Sequence, residues 1–303
     1  CYFAGCKRPL PSLPVNPPLD RLFLFISLLM LASTVGYAQK EVTYSVGVFS
    51  RLTSTFTFDE GINIDPRYQA KYGAHFVPGG IHAGVDYMGF GFMIDPQITQ
   101  IGQSFNILNT QRGQVGERNV KITYLQLPFS YKKHIIDLSF FKVSFVAGIS
   151  YAQLLSGSES ITHTASKLRF PANVYSILPD TYEAEYDGVV SPQVKDFETL
   201  KKSDFKSSQV FGSLGIRSDW DITDNARLSF DFRANMGAFD PRSAAYLERA
   251  ENNQTIYEIS GERRDLFFSL TLGYSRYLFI EKKPKPKKVK HFVSYGPKRK
   301  KPK

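Results

Sequence analysis

The 303-residue chain has only two cysteines, Cys1 and Cys6, and both fall in a proline-rich stretch ahead of an apolar segment. Arg21 precedes an apolar run from Leu22 to Gly36 that is too short to cross a bilayer, and Gly36-Tyr37-Ala38 offers a small-x-small cleavage site. Residues 1–38 therefore read as upstream sequence plus a secretion signal, with a mature chain expected from Gln39. Beyond that point there is no thiol, which excludes a disulfide framework, a thiolate metal site and a cysteine nucleophile. Gln39 stands where a lipid-anchored protein needs Cys. No uncharged apolar run of about eighteen residues appears, so a spanning helix is excluded as well. The five histidines, His75, His82, His134, His163 and His291, show no metal-ligand spacing, and there is no glycine-rich nucleophile turn. No catalytic residue, metal ligand or cofactor is assigned.

Charge is unevenly spread. Residues 281–303 hold ten Lys, one Arg and one acid, a net +10 that equals the whole-chain value and leaves the rest neutral. This Lys/Pro-rich segment cannot bury a core. Placed in the periplasm by the signal, it is expected to meet peptidoglycan or an acidic periplasmic protein through Lys287, Lys288, Lys290, Arg299 and Lys300, and no nucleic acid; a solvated spacer is the plain alternative.

Between these ends, eight stretches alternate apolar with polar or small residues: 41–50, 81–88, 91–101, 121–132, 141–154, 208–220, 227–238 and 265–279. Each is about the ten residues that a tilted strand needs to cross hydrocarbon. Period-two alternation alone does not say which face meets lipid, because a soluble barrel places its apolar face inward. Aromatic placement decides. With the first strand starting in the periplasm, the apolar faces carry Tyr44, Tyr87, Phe92, Tyr131, Phe141, Trp220, Phe230 and Tyr274 at their periplasmic ends, one per strand, as an interfacial girdle would. Short connections at 89–91, 134–138 and 221–225 alternate with long polar ones at 51–80, 106–120, 156–206 and 239–264, which matches periplasmic turns and external loops.

The expected fold is an all-β, eight-stranded antiparallel transmembrane β-barrel over 39–280 in the cell outer membrane, in contact with its lipids, with long external loops and a disordered basic tail. Pro96 and Pro128, inside strands, are expected at bulges. A lumen this narrow holds side chains and little else, so the inward charges Asp86, Asp95, Lys142, Arg217, Asp219, Asp231 and Arg233 are expected to pair as a packed ion network.

The stretch His82-Ala83-Gly84-Val85, the glycine turn, Ile94-Asp95-Pro96-Gln97, Tyr124-Leu125-Gln126-Leu127-Pro128 and Phe145-Val146-Ala147-Gly148 resemble, in that order, the PorT-like outer-membrane barrel family of Bacteroidota. The resemblance implies the barrel fold and a link to type IX secretion. Three roles stand open on the whole sequence: a non-enzymatic envelope scaffold or secretion accessory, a surface binder or adhesin using the external loops, or a lipid-modifying or hydrolytic enzyme with turnover dependent on His82.

Overall fold

The computed structural model describes residues 42–138, 140–252 and 255–279; the signal segment, both cysteines and the basic tail with its five contact residues lie outside the described residues. In chain order the strands are β1 (Val42–Asp59), β2 (Tyr68–Lys71), β3 (Ala74–Tyr87), β4 (Phe90–Ile94), β5 (Gln97–Ile101), β6 (Ser104–Leu108), β7 (Gln114–Asp137), β8 (Phe141–His163), β9 (Ser166–Leu168), β10 (Glu183–Glu185), β11 (Gly188–Ser191), β12 (Val194–Leu200), β13 (Ser208–Thr223), β14 (Ala226–Gly237) and β15 (Arg263–Phe279). Two short helices join them, α1 (Glu60–Ile64) and α2 (Ala244–Asn252).

Eight walls close on themselves: β1, β3, β4 continued by β5, β7, β8, β13, β14 and β15, which pairs back onto β1. Every pairing is antiparallel. Closure removes both sheet edges, the only way a sheet can satisfy its backbone in lipid. The stagger can be read from the register. Tyr44 faces Val85, which leads through Phe92, Tyr131, Ala147, Leu214, Ala234 and Phe268 back to Ser54, ten positions along the starting strand. With ordinary strand spacings that stagger tilts the strands by about 40°.

The outward face is apolar, with Val48, Leu127, Phe129, Ile149, Leu214, Ile216, Phe232 and Leu270 all exposed. An apolar belt this continuous calls for a non-aqueous neighbour. Among the described residues no helix is long and apolar enough to cross a membrane; the strands do it.

Several expectations need correction. Strands overrun the membrane: β1 reaches Asp59, β7 starts at Gln114 and β8 ends at His163. The segments read as loops thus carry wall strands, the separate three-stranded sheet β10-β11-β9, and α2. The first hairpin turns at Met88 (φ 44°) and Gly89 (φ 80°), one position earlier than the glycine turn expected, and both residues take the positive φ that a two-residue primed turn requires. Neither proline marks a bulge. Ile94 faces Phe129 and Gln97 faces Gln126, so the register is unbroken across Pro96, and Pro128 faces Ser150 in regular sequence. The Pro128 carbonyl accepts from the Asp95 N–H at 3.3 Å, so its donorless nitrogen faces the same seam, where the ladder is interrupted at Asp95-Pro96.

Candidate functional site

Inside the barrel the side chains fall into layers. Toward the end with the short turns lies a buried ion network. Asp219 is its hub: Arg217 Nε lies 2.7 Å from Asp219 Oδ1, while Lys132 Nζ and Arg227 approach Oδ2 at 3.3 and 3.5 Å. Lys132 and Arg227 also hold Asp86, at 2.8 and 3.0 Å. One step outward, Arg233 bonds Asp231 at 2.5 Å and Asp95 at 3.2 Å, and Arg217 Nη1 stands 3.7 Å from Asp231. His82 Nδ1 meets Asp95 Oδ1 at 2.7 Å. These come from five walls, two of which use consecutive inward positions, Arg217 and Asp219 on β13 and Arg227, Ser229, Asp231 and Arg233 on β14, because a period of two brings every second residue inside.

Six of the seven charges expected inside are thus brought together. Lys142 is not. It sits near the start of β8, partly exposed, and pairs with Asp137 at the end of β7 at 3.6 Å; a strand end lies at the rim, where water competes. Sequence reading missed Lys132 and Arg227, the last and first residues of the stretches 121–132 and 227–238, and Arg51, one position past the end of 41–50. Parity would have found them: Lys132 follows Gln126 and Ser130, and Arg227 precedes Ser229.

Above the ions the inner face changes character. Gln97, Thr99, Gln126 and Ser150 share a polar chain of hydrogen bonds, with Gln97 Nε2 donating to Gln126 Oε1 at 2.9 Å and Gln126 Nε2 to Ser150 Oγ at 2.6 Å. Then Ile101, Ile122, Tyr124, Leu154, Phe211 and Phe267 fill the lumen with apolar volume, joined by Tyr246 and Ala250 of α2. The expectation of a polar or small inner face holds only for the half near the short turns. The Phe211 ring packs edge-on to both Tyr124 and Phe267, at 5.9 and 5.6 Å between centroids.

Beyond this plug a second ion cluster spans strand and loop. Glu159 is shared by Arg118 and by Arg263, the latter at 3.4 Å, and Arg263 also reaches Asp265 at 3.2 Å. Burial alone would raise the Glu159 carboxyl, but Arg118 and then Arg263 outweigh it and hold it below the ordinary carboxylate range. Arg67, bonded to Asp65 at 2.6 Å, stacks on Phe170 at 4.3 Å and lies between the external loops.

The eight expected girdle residues are exposed or half-buried on the outer face. Phe92 touches Tyr131 at 5.6 Å, Phe141 touches Trp220 at 4.5 Å, and Phe90, not anticipated, links Tyr87 to Phe92 at 5.6 and 6.1 Å.

One arrangement has the outline of a hydrolase triad. Ser45 Oγ stands 3.4 Å from His82 Nε2, and His82 bonds Asp95. All three are buried in mid-lumen, with Arg233 on the same Asp95. A nucleophile needs substrate access and oxyanion donors, and the packed layers leave beside His82 and Asp95 only a cleft for one small body. Among the described residues no group of three or more His, Cys, Asp or Glu could hold a metal ion.

A closed antiparallel barrel with a lipid-facing apolar wall, short turns at one end and a filled interior defines an outer-membrane β-barrel protein. Residues 26–240 match the model of the outer membrane protein beta-barrel domain, and the chain belongs to that family. It resides in the outer membrane. Its fold is similar to Neisserial surface protein A (NspA), at 10% identity over 77% of this chain and 96% of that one, TM-score 0.34. It is also similar to the outer membrane protease OmpT from Escherichia coli (9%, 80% and 99%, TM-score 0.36) and to the outer membrane protein OprG from Pseudomonas aeruginosa (10%, 80% and 97%, TM-score 0.30). At these scores the likenesses carry no argument about role. No curated protein matches the chain in sequence.

Proposed function

We propose that the chain is a non-enzymatic, non-conducting barrel that anchors a folded external cap at the cell surface and serves as a scaffold or accessory of an envelope assembly, in the manner of a PorT-like protein tied to type IX secretion. The filled lumen supports this reading above all: an ion layer, a polar layer and an apolar plug in series suit a rigid anchor rather than a conduit. In this role the inward charges are structural, the aromatic ring fixes depth in the bilayer, and the basic C-terminal segment contacts peptidoglycan or an acidic periplasmic partner. The test is purification of the full-length protein from envelopes in mild detergent, with partners identified, alongside planar-bilayer recording. Co-purifying envelope components and no conductance are the expected outcome; a large stable pore would overturn it.

A second reading, a surface binder or adhesin, is favoured by the ordered cap, on which Tyr175, Tyr186 and Phe197 stand exposed on separate elements. Replacing residues 166–191 by a short linker separates the two: loss of binding to cells or matrix with partners retained favours the binder.

A further inference from the structure

Among the buried charges of the lumen one cation lacks a counter-ion. Arg51 is 4% exposed, yet no carboxylate oxygen of the described residues lies within ion-pair distance of its guanidinium. Its Nε donates to Thr271 Oγ1 at 3.0 Å, and its plane lies near the Phe49 ring at 5.5 Å. A guanidinium carries five donors. The acids nearest to it in the layer are already committed, Asp231 to Arg233 and Arg217, Asp95 to Arg233 and His82. Within this ion layer the buried charges are Arg51, Lys132, Arg217, Arg227 and Arg233 against Asp86, Asp95, Asp219 and Asp231, an excess of one cation. Two further acids at this end sit at the rim, Asp221 against Arg227 and Asp137 against Lys142.

Arg51 opens onto a narrow cleft shared with His82, Asp95, Arg217, Asp231 and Arg233. The cleft has room for one small body, a water molecule or a monatomic ion. Water there can hydrate the guanidinium but leaves its charge uncompensated in a low-dielectric interior, where an unpaired ion is costly. We propose that the barrel lumen binds one small monovalent anion, a halide, against the Arg51 guanidinium, as a structural counter-ion that completes the charge balance of the ion layer. Three arginines and two carboxylates line the cleft, a net positive charge that favours an anion over a neutral occupant. The size of the cleft excludes carboxylates and oxyanions with bulky substituents.

The test compares thermal unfolding of the full chain in detergent in sodium chloride and in sodium gluconate at equal ionic strength. Gluconate is too large to enter. Chloride is expected to raise the midpoint of the wild-type protein saturably, by roughly 2–4 °C for a chain of this size, and Arg51→Met is expected to melt at the same temperature in both salts. Equal midpoints for the wild type in the two salts, or a chloride effect that survives in Arg51→Met, would overturn the proposal. Should Arg51→Met fail to fold, wild-type crystals soaked in bromide decide: an anomalous peak at hydrogen-bond distance from the Arg51 guanidinium supports the site, and density there without anomalous signal identifies water and removes it.

Discussion

His163 Nε2 lies 2.7 Å from the Tyr257 hydroxyl, and its Nδ1 lies 2.9 Å from the Thr164 carbonyl oxygen. A carbonyl only accepts, so Nδ1 carries the ring proton and Nε2 accepts from the tyrosine. That contact fastens the end of β8 to the last external connection, since Tyr257 also packs on Phe197 of β12 at 5.8 Å. Burial, ahead of the nearby Arg67 charge, pulls the His163 pKa below its ordinary 6.5, and burial pushes the Tyr257 hydroxyl up. The unfolded cap therefore binds a proton more readily than the folded one. The stability from this contact is complete above pH 6.5 and declines as pH falls toward the depressed folded value. Hydrogen exchange of residues 160–170 and 255–259 is expected to speed up between pH 7 and pH 5, and His163→Leu is expected to flatten that dependence. Unchanged protection across the range in the wild type would contradict it.

Glu159 compensates two buried guanidiniums at once. Glu159→Gln should leave Arg118 and Arg263 short of an anion and cost about 3–5 kcal/mol, concentrated in the external region. Limited proteolysis of intact cells or proteoliposomes measures this: cleavage within 166–206 should accelerate while the embedded wall stays protected. If cutting is as slow as in the wild type, Glu159 does not hold the cap.

Arg233 bonds Asp231, Asp95 and the Ser130 hydroxyl, at 3.0 Å for the last. Arg233→Leu takes from two buried carboxylates their closest guanidinium and should destabilise the barrel by about 3–5 kcal/mol in urea titrations of folding into detergent or lipid. Conductance should stay at background, because the apolar plug lies farther along the lumen. An open channel in this variant would mean that the ion layer alone seals the barrel.

Phe267 is fully buried between Phe211 and the neighbouring plug residues. Phe267→Ala removes that ring and should cost about 3–5 kcal/mol, the larger values applying if the rigid wall cannot collapse onto the space. A loss well under 1 kcal/mol would show that the plug is loosely packed.

How far the sequence foretold this structure follows from what period two can and cannot encode. The outward faces were legible because lipid admits one kind of side chain, so Val46, Leu127, Ile216 and Leu272 repeat without interruption. The inward face carries no such uniform demand. Phe211 and Leu154 point inside, where apolar packing against α2 suits them, and alternation fades where both faces are apolar. Arg51 went with the end of the first stretch at residue 50, while Lys132 and Arg227 stand at the very ends of 121–132 and 227–238, where alternation has no further residue to confirm the face. The external cluster was illegible for another reason: Arg118, Glu159 and Arg263 come from three separate strands and Arg67 from a connection, so only tertiary structure makes them neighbours. Lys142 was misplaced because parity specifies a face and says nothing of height.

The circuit from Tyr44 round to Ser54 advances by an even number of residues, and that evenness keeps one side of every strand facing the same medium all the way around. A single extra residue placed after Ile216, unless absorbed as a local kink, would turn Arg217 and Asp219 from the interior into hydrocarbon and bring their apolar neighbours inside. The wall can therefore change length only in pairs, while the external connections, whose lengths do not enter the circuit, remain free to diversify.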